Sequence, residues 1–246
     1  MAARRLRARP VERVWGRRHL PPGFPQPPGD EPIGEIWFEP PGDAELLVKY
    51  LFTSERLSIQ VHPDDAAARA QGYPRGKDEA WFVIDAEPGA VIGLGLTRAI
   101  SREALRQAAL DGSIEGLLDW RPVAKGDLLY SPAGTIHAIG AGIALVEVQQ
   151  NVDVTYRLYD YGRPRELHLD DAVAVAKPGP WSPPSEPVFT LERLTAPGGL
   201  SDGALVVPLR SAGAIDGEAL VAGSVWSVIG SGTLSGGVDA LVARSA

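Results

Sequence analysis

From Ile33 onward the chain breaks into short apolar runs separated by Pro, Gly and Asp. Gly34 to Glu39, Leu46 to Phe52 and Leu57 to His62 are rich in β-branched and aromatic residues and read as strands. In the third run Leu57, Ile59 and Val61 alternate with Ser58, Gln60 and His62, so the three polar side chains share one face. That face points either into a site or out to water. Glu79 to Ile84 and Ala90 to Leu96 predict two more strands. Val123 to Pro132, Thr135 to Ile139 and Ile143 to Gln149 predict a strand–turn–strand series around Pro132-Ala133-Gly134. Helix signals are short. Asp64-Asp65 opens a helix that stops at Gly72, and Ser101 N-caps one that stops at Gly112. Ile114 to Leu118 fits a further turn of helix, and Asp170-Asp171 caps one running through Val175.

Residues 1–32, rich in Arg and Pro, predict an irregular arm in which Val11 to Gly16 adds at most one edge strand. The break Lys177 to Pro184 is the best linker candidate. After it come short strands only, at Val188 to Leu194, Ala204 to Leu209, Ser224 to Ile229 and Ala240 to Arg244. The pattern divides the chain into the arm 1–32, a larger β unit over 33–180 with helical insertions, and a smaller β lobe over 185–246.

Composition sharpens this. With 28 Gly and 22 Pro in 246 residues, turn formers make up about a fifth of the chain, above the usual ~12%. Many short strands are thereby favoured over long helices. There are no cysteines, so neither disulfides nor thiolate metal ligation is available. The net charge of −7 is spread along the chain, which argues against a nucleic-acid partner or an anionic membrane surface. No apolar run is long enough to span a bilayer, and no apolar segment follows the basic N-terminus as a secretory signal requires. The expected location is the cytoplasm.

The candidate chemistry lies in three segments: Gln60-Val61-His62-Pro63-Asp64, Gly76-Lys77-Asp78-Glu79-Ala80-Trp81, and Gly126 to His137. They supply two of the four histidines, one carboxylate and one amide beside strand-like runs. Two His and one Glu with an open position suit a catalytic divalent metal. The spacing Gly126, Pro132, Gly134, His137 resembles the second signature of the cupin β-barrel. Gln-x-His-Pro-Asp with Gly-Lys-x-Glu-x-Trp resembles the type I phosphomannose isomerases. Val14-Trp15-Gly16, Ile33 to Trp37, Leu47-Val48-Lys49, Val146 to Tyr161 and Pro164 to His168 extend that resemblance over about residues 11–176.

The resemblance implies a mainly β, jelly-roll-like cupin barrel with a few short helices, followed by a reduced second cupin-like lobe. It implies one zinc per chain held by His62, Glu79, His137 and Gln60. It also implies interconversion of mannose 6-phosphate and fructose 6-phosphate through a cis-enediolate. Arg157, Lys77 and Glu147 take the catalytic roles, and Lys49, Ser58 and, more loosely, Arg163 bind the phosphate. Which group is the proton-transfer base stays open. His19 and His168 read as structural or exposed. An isomerase of another phosphorylated or free sugar, a non-catalytic sugar-binding cupin and an iron-dependent cupin dioxygenase are the competing readings. The expected assembly is a monomer or homodimer.

Overall fold

The computed structural model describes residues 3–246 apart from Pro22, Pro28 and Pro41. The first part contains strands β1 (Ala3–Arg5), β2 (Ala8–Arg17), β3 (Ile33–Phe38), β4 (Leu46–Phe52), β5 (Ile59–Val61), β6 (Glu79–Ala86), β7 (Val91–Leu96), β8 (Leu118–Pro122), β9 (Leu128–Ser131), β10 (His137–Ile139), β11 (Ile143–Gln150) and β12 (Tyr156–Tyr159). Among them lie helices α1 (Asp65–Ala70), α2 (Arg102–Asp111), α3 (Ile114–Leu117) and α4 (Leu169–Val175). Strands β13 (Phe189–Leu194), β14 (Gly198–Ser201), β15 (Leu205–Pro208), β16 (Ala214–Ile215), β17 (Glu218–Ala219), β18 (Trp226–Val228), β19 (Ser231–Ser235) and β20 (Ala240–Ser245) complete the chain.

The fold is a stack of layers, and strand periodicity explains it. A six-stranded sheet in the order β2-β3-β4-β11-β6-β9 faces a five-stranded sheet β12-β5-β10-β7-β8, the two-sheet arrangement expected of a cupin. Every residue of β4 is buried, which requires cover on both sides of its sheet. Leu51, Trp81, Val83 and Leu145 point inward and meet Ile92, Leu94 and Ile139 of the opposing sheet. Their alternates Val48, Tyr50, Phe52, Phe82, Val146 and Val148 point outward onto Phe189, Leu205, Val207 and Leu241 of the C-terminal lobe. The outer face of the five-stranded sheet, with Ile59, Val61, Leu96 and Ala138, is closed by α2, α3 and α4 through Leu105, Ile114 and Ala172.

The helix ends follow the expected chemistry. Asp64 Oδ1 accepts from Ala67 N at 2.9 Å and Ser101 Oγ from Ala104 N at 3.1 Å. Gly112 ends α2 at φ +81°, a conformation glycine adopts without Cβ strain.

Three expectations are corrected. The stretch expected to be irregular carries β1 and β2. The first pairs with β18 of the C-terminal lobe and the second with β3, so the arm ties both lobes together. Met1, Ala2, Pro22 and Pro28 of that arm lie outside the described residues. The strand expected over Val123–Pro132 is shorter: β8 ends at Pro122, a turn with Gly126 at φ +100° follows, and only β9 falls within the expected range. The C-terminal lobe contains more than the four strands expected. Its five-stranded sheet β1-β18-β15-β20-β13 packs through Val206, Trp226 and Val242 on a second sheet, β14-β19-β16-β17, with Leu200, Ile215 and Leu234. The segment Lys177 to Pro184 runs tightly over the first part. Pro180 bridges Gly95, and Trp181 Nε1 donates to Tyr130 O at 2.9 Å. No helix among the described residues is long and apolar enough to cross a membrane.

Candidate active site

The site is built from two cross-strand rows that face each other. In the six-stranded sheet, registered neighbours form the row Arg9–Trp37–Lys49–Glu147–Trp81. Side chains directly opposite one another on a ladder touch, and these do. Lys49 Nζ lies 4.2 Å from the Trp37 ring centroid and 3.4 Å from Glu147 Oε1, while Trp81 Nε1 donates to Glu147 Oε2 at 3.1 Å. In the five-stranded sheet the row is Arg157–Gln60–His137. Glu79 lies two residues before Trp81 on β6, on the same inward face.

His62, Glu79 and His137 form a buried cluster whose donor atoms lie within 4.8 Å of one another. Glu79 Oε1 is 3.2 Å from His62 Nε2, and Oε2 is 3.5 Å from His137 Nε2. Lys77 Nζ sits 2.8 Å from Glu79 Oε1. His137 Nδ1 lies 3.0 Å from the Thr135 carbonyl, which only accepts, so Nδ1 carries the proton and Nε2 presents a lone pair to the cluster. The Pro132-Ala133-Gly134 turn that delivers His137 is fixed by Ala133 N donating to Asp78 Oδ1 at 2.9 Å and Gly134 N to His62 O at 2.9 Å.

Burial pushes His62 down to about 3, and the Lys77 cation acts in the same direction. Burial likewise lowers His137. Burial alone would raise Glu79, but Lys77 and the two imidazoles hold it well below the usual carboxylate range. The cluster is therefore two neutral imidazoles and one carboxylate at neutral pH, the protonation state that metal ligation needs. Neither ring nitrogen of His62 nor Oε2 of Glu79 has a hydrogen-bond partner among the described residues. Buried polar atoms are normally satisfied, so orphans converging on one point fit a cation.

Above the cluster opens a cavity of about 660 Å³. Seven of the expected site residues meet there: Lys49, Ser58, Gln60, Lys77, Glu79, Glu147 and Arg157. Gln60 Nε2 approaches His137 Nε2 at 3.2 Å, and its Oε1 accepts from Ser58 Oγ at 3.1 Å. Lys49 is buried and ion-paired to Glu147, so its charge is already matched. Burial, then the charge of Glu79, raises Glu147 against the opposing pull of Lys49. Burial would lower Lys77, but Glu79 and Glu147 keep it raised and protonated.

Arg163 does not join the cavity lining. It stacks on Tyr161 at 5.4 Å, donates to Arg56 O, and lies 3.6 Å from Asp160 Oδ1. These contacts hold its guanidinium out of the lining, although Arg165, two residues on, belongs to it. His168, expected to be structural or exposed, lines the cavity and accepts from Arg157 N at 3.2 Å. His19 is exposed, as expected. Sequence reasoning missed Arg13, Glu35 and Trp37. Glu35 Oε2 accepts from Trp37 Nε1 at 3.0 Å and pairs with Arg13 Nη2 at 2.6 Å. Alternation along Gly34-Glu35-Ile36-Trp37 was the available signal, because it places Glu35 and Trp37 on one face.

Two sheets enclosing a buried His–Glu–His cluster beneath a polar cavity define a cupin with a candidate metal centre. Over part of its length the chain is 44% identical to the mannose-6-phosphate isomerase of Streptococcus mutans, across 147 residues that make up 56% of this chain and 46% of that protein. It is 43% identical to the mannose-6-phosphate isomerase ManA of Bacillus subtilis over 137 residues, 53% of this chain and 43% of that protein. The chain thus spans about half the length of the curated relatives it matches. Among solved structures, the mannose 6-phosphate isomerase of Bacillus subtilis superposes with a TM-score of 0.80 at 25% identity, covering 99% of this chain and 100% of that one. A putative mannosephosphate isomerase from Archaeoglobus fulgidus gives 0.73 at 18% identity, covering 98% and 96%. No family model matches the chain. The chain resembles the type I phosphomannose isomerases in sequence over more than half its length and in fold throughout.

Proposed function

We propose that the protein is a zinc-dependent aldose–ketose isomerase that interconverts mannose 6-phosphate and fructose 6-phosphate. The observation that carries this reading is the buried His62–Glu79–His137 cluster directly beneath a cavity holding Lys77, Glu147 and Arg157. In the proposal one zinc ion per chain is held by His62, Glu79 and His137. Gln60 completes the set once its amide turns to present oxygen in place of nitrogen, a rotation that Ser58, able to donate or accept, tolerates. Bound there, the ion supplies Lewis-acid stabilisation of negative charge developing on a substrate oxygen.

The chain's own groups supply the rest. Aldose–ketose isomerisation moves a carbon-bound proton between C1 and C2 and a second proton between the two oxygens. A base and an acid must therefore stand close together. Glu147, raised by burial and held at both oxygens, is the proton acceptor of the pair. Lys77, held protonated by Glu79, is the donor to the oxygen that gains charge. Arg157 stays protonated and cannot act as the base. It orients the substrate through its anionic end or its enediolate oxygens. Lys49 and Ser58, proposed from the resemblance as phosphate ligands, are better suited to sugar hydroxyls, because both are almost wholly buried and the single Lys49 ammonium is enclosed between Glu147 and the Trp37 ring.

A coupled isomerase assay on mannose 6-phosphate, run before and after chelation and after zinc add-back, tests the reading. Turnover lost on chelation and restored by zinc supports it. A metal-loaded protein inactive on every phosphosugar offered would sink it.

A further inference from the structure

Most cavity cations are already neutralised. Lys77 pairs with Glu79, Lys49 with Glu147, Arg13 with Glu35 at 2.6 Å, and Arg165 grips Asp160 at 2.6 and 2.7 Å through two nitrogens. Arg157 makes no ion pair among the described residues, and its buried Nε has no partner. One further arginine reaches the cavity from β2, at the edge of the six-stranded sheet, whereas Arg157 lies on β12 at the edge of the five-stranded sheet.

The position of Arg13 is built into the fold. Its stem crosses Gly34, where an added Cβ would lie 2.4 Å from Arg13 Cβ and 2.7 Å from Cγ. Only glycine leaves that passage open. Beyond it, Glu35 fixes Nη2 at 2.6 Å while itself accepting from Trp37. The Arg13 side chain remains 35% exposed. A guanidinium carries five donors; Nη2 serves Glu35 and Nη1 donates to Glu12 O at 3.2 Å, which leaves the other donors of the fork available. Burial, then the charge of Arg165, pulls Arg157 down; Asp160 opposes this, and Arg13 adds a smaller pull in the same direction as Arg165. Like charges brought together across a cleft are relieved by a bound anion, and planar guanidinium forks match phosphate oxygens.

We propose that Arg13 is a second phosphate ligand, gripping the substrate's phosphate jointly with Arg157, and that it sets the preference for phosphorylated over free sugars. The assignment rests on the sugar-phosphate reading above.

The test uses Arg13→Gln and Arg13→Lys in the full zinc-loaded chain, with inorganic phosphate titrated calorimetrically as the probe. Arg13→Gln is expected to raise the KM for mannose 6-phosphate by about 10- to 100-fold, the usual effect of losing a charge-assisted contact. Its kcat should fall less than about threefold, and phosphate binding should weaken in parallel, with partial recovery in Arg13→Lys. A merely structural role would lower thermal stability and kcat and leave KM and phosphate affinity alone. That result overturns the proposal, as does wild-type protein that binds no phosphate. If the wild type turns over no phosphosugar, the titration still decides. Weaker phosphate binding in Arg13→Gln keeps the anion site while the isomerase reading falls, and equal binding removes Arg13 from the site.

Discussion

Glu147 accepts a hydrogen bond at 3.1 Å from the indole nitrogen of Trp81, its registered neighbour on the adjacent strand. The same indole lies 5.2 Å, centroid to centroid, from the imidazole of His137. Trp81 therefore supports the proposed proton acceptor and a metal-ligand candidate at once. Trp81→Phe keeps an aromatic ring and removes the donor. Leaving a buried carboxylate oxygen unsatisfied costs about 1–3 kcal/mol, so urea unfolding should show a loss of that size, with kcat falling more than KM rises. Unchanged stability and kcat would show that Glu147 does not depend on this bond.

The orphaned donors of the His62–Glu79–His137 cluster lead to a separate expectation for metal occupancy. His137→Ala should lose both bound zinc, read by elemental analysis, and turnover. Arg157→Ala should retain zinc and lose turnover, because Arg157 lines the cavity and is not a member of the cluster. A ligand present at 100 times its Kd stabilises the native state by about 2.7 kcal/mol. Zinc should accordingly raise the Tm of Arg157→Ala and leave that of His137→Ala where it was. An equal shift in both would remove His137 from the ligand set.

The parts of this site carried by short-range pattern were legible in the sequence. Alternation put Ser58, Gln60 and His62 on one face, and Ser101 and Gly112 marked the ends of α2. The rows across the sheets were not legible as rows. That Lys49, Glu147 and Trp81 stand in register is set by which strands become neighbours, and those residues are far apart in the chain. Strand β1 escaped for the same reason, since Ala3 pairs with Val228 and its own residues carry no β-branched alternation. β14 and β19, with Gly-Gly-Leu-Ser and Ser-Gly-Thr-Leu-Ser, read as turn-like material, and it is pairing across the sheet, β14 with β19 and β19 with β16, that makes them strands. The looser expectation of Arg163 as a phosphate ligand failed because its guanidinium is held by Tyr161, Arg56 and Asp160, contacts that no local pattern encodes.

In the C-terminal lobe, Asp239 is buried and gripped by Arg193 Nε at 2.8 Å and Nη2 at 3.0 Å, and by Arg210 Nε at 2.9 Å. Hydrogen bonding from Arg193, opposed by burial, holds the Asp239 carboxyl below its ordinary value of 3.8. A depressed carboxyl stabilises the fold fully above its unfolded pKa, and that contribution is lost as pH falls through the folded one. Both arginines are about half-exposed or more and are screened by salt. Asp239→Asn should therefore cost about 1–2 kcal/mol at pH 7 in low salt, with the difference from wild type shrinking below pH 4. A gap that does not shrink at all as the pH is lowered from 4 would mean the charge is not what stabilises this corner.

Gly95 tests how firmly the segment after residue 176 is tied to the metal region. It sits at φ +75°, and an added Cβ would lie 2.4 Å from Trp181 N and 2.7 Å from Trp181 Cβ. Gly95 N also donates to Ile136 O, next to His137, and Leu96 N donates to Gly179 O. Alanine here combines left-handed strain of about 1–2 kcal/mol with overpacking of about 1–3 kcal/mol. The clash is with backbone, which cannot swing aside as a flexible side chain would. Gly89 provides the control, since at φ +83° its added Cβ meets nothing within 4 Å, leaving strain alone. Urea unfolding should place Gly95→Ala about 2–5 kcal/mol below wild type and well below Gly89→Ala. It should also show weaker zinc retention, because the β7–β10 ladder that seats His137 opposite Leu94 must shift. If the two alanine variants unfold alike, Trp181 yields to the new methyl group and the segment does not brace the strand that carries His137.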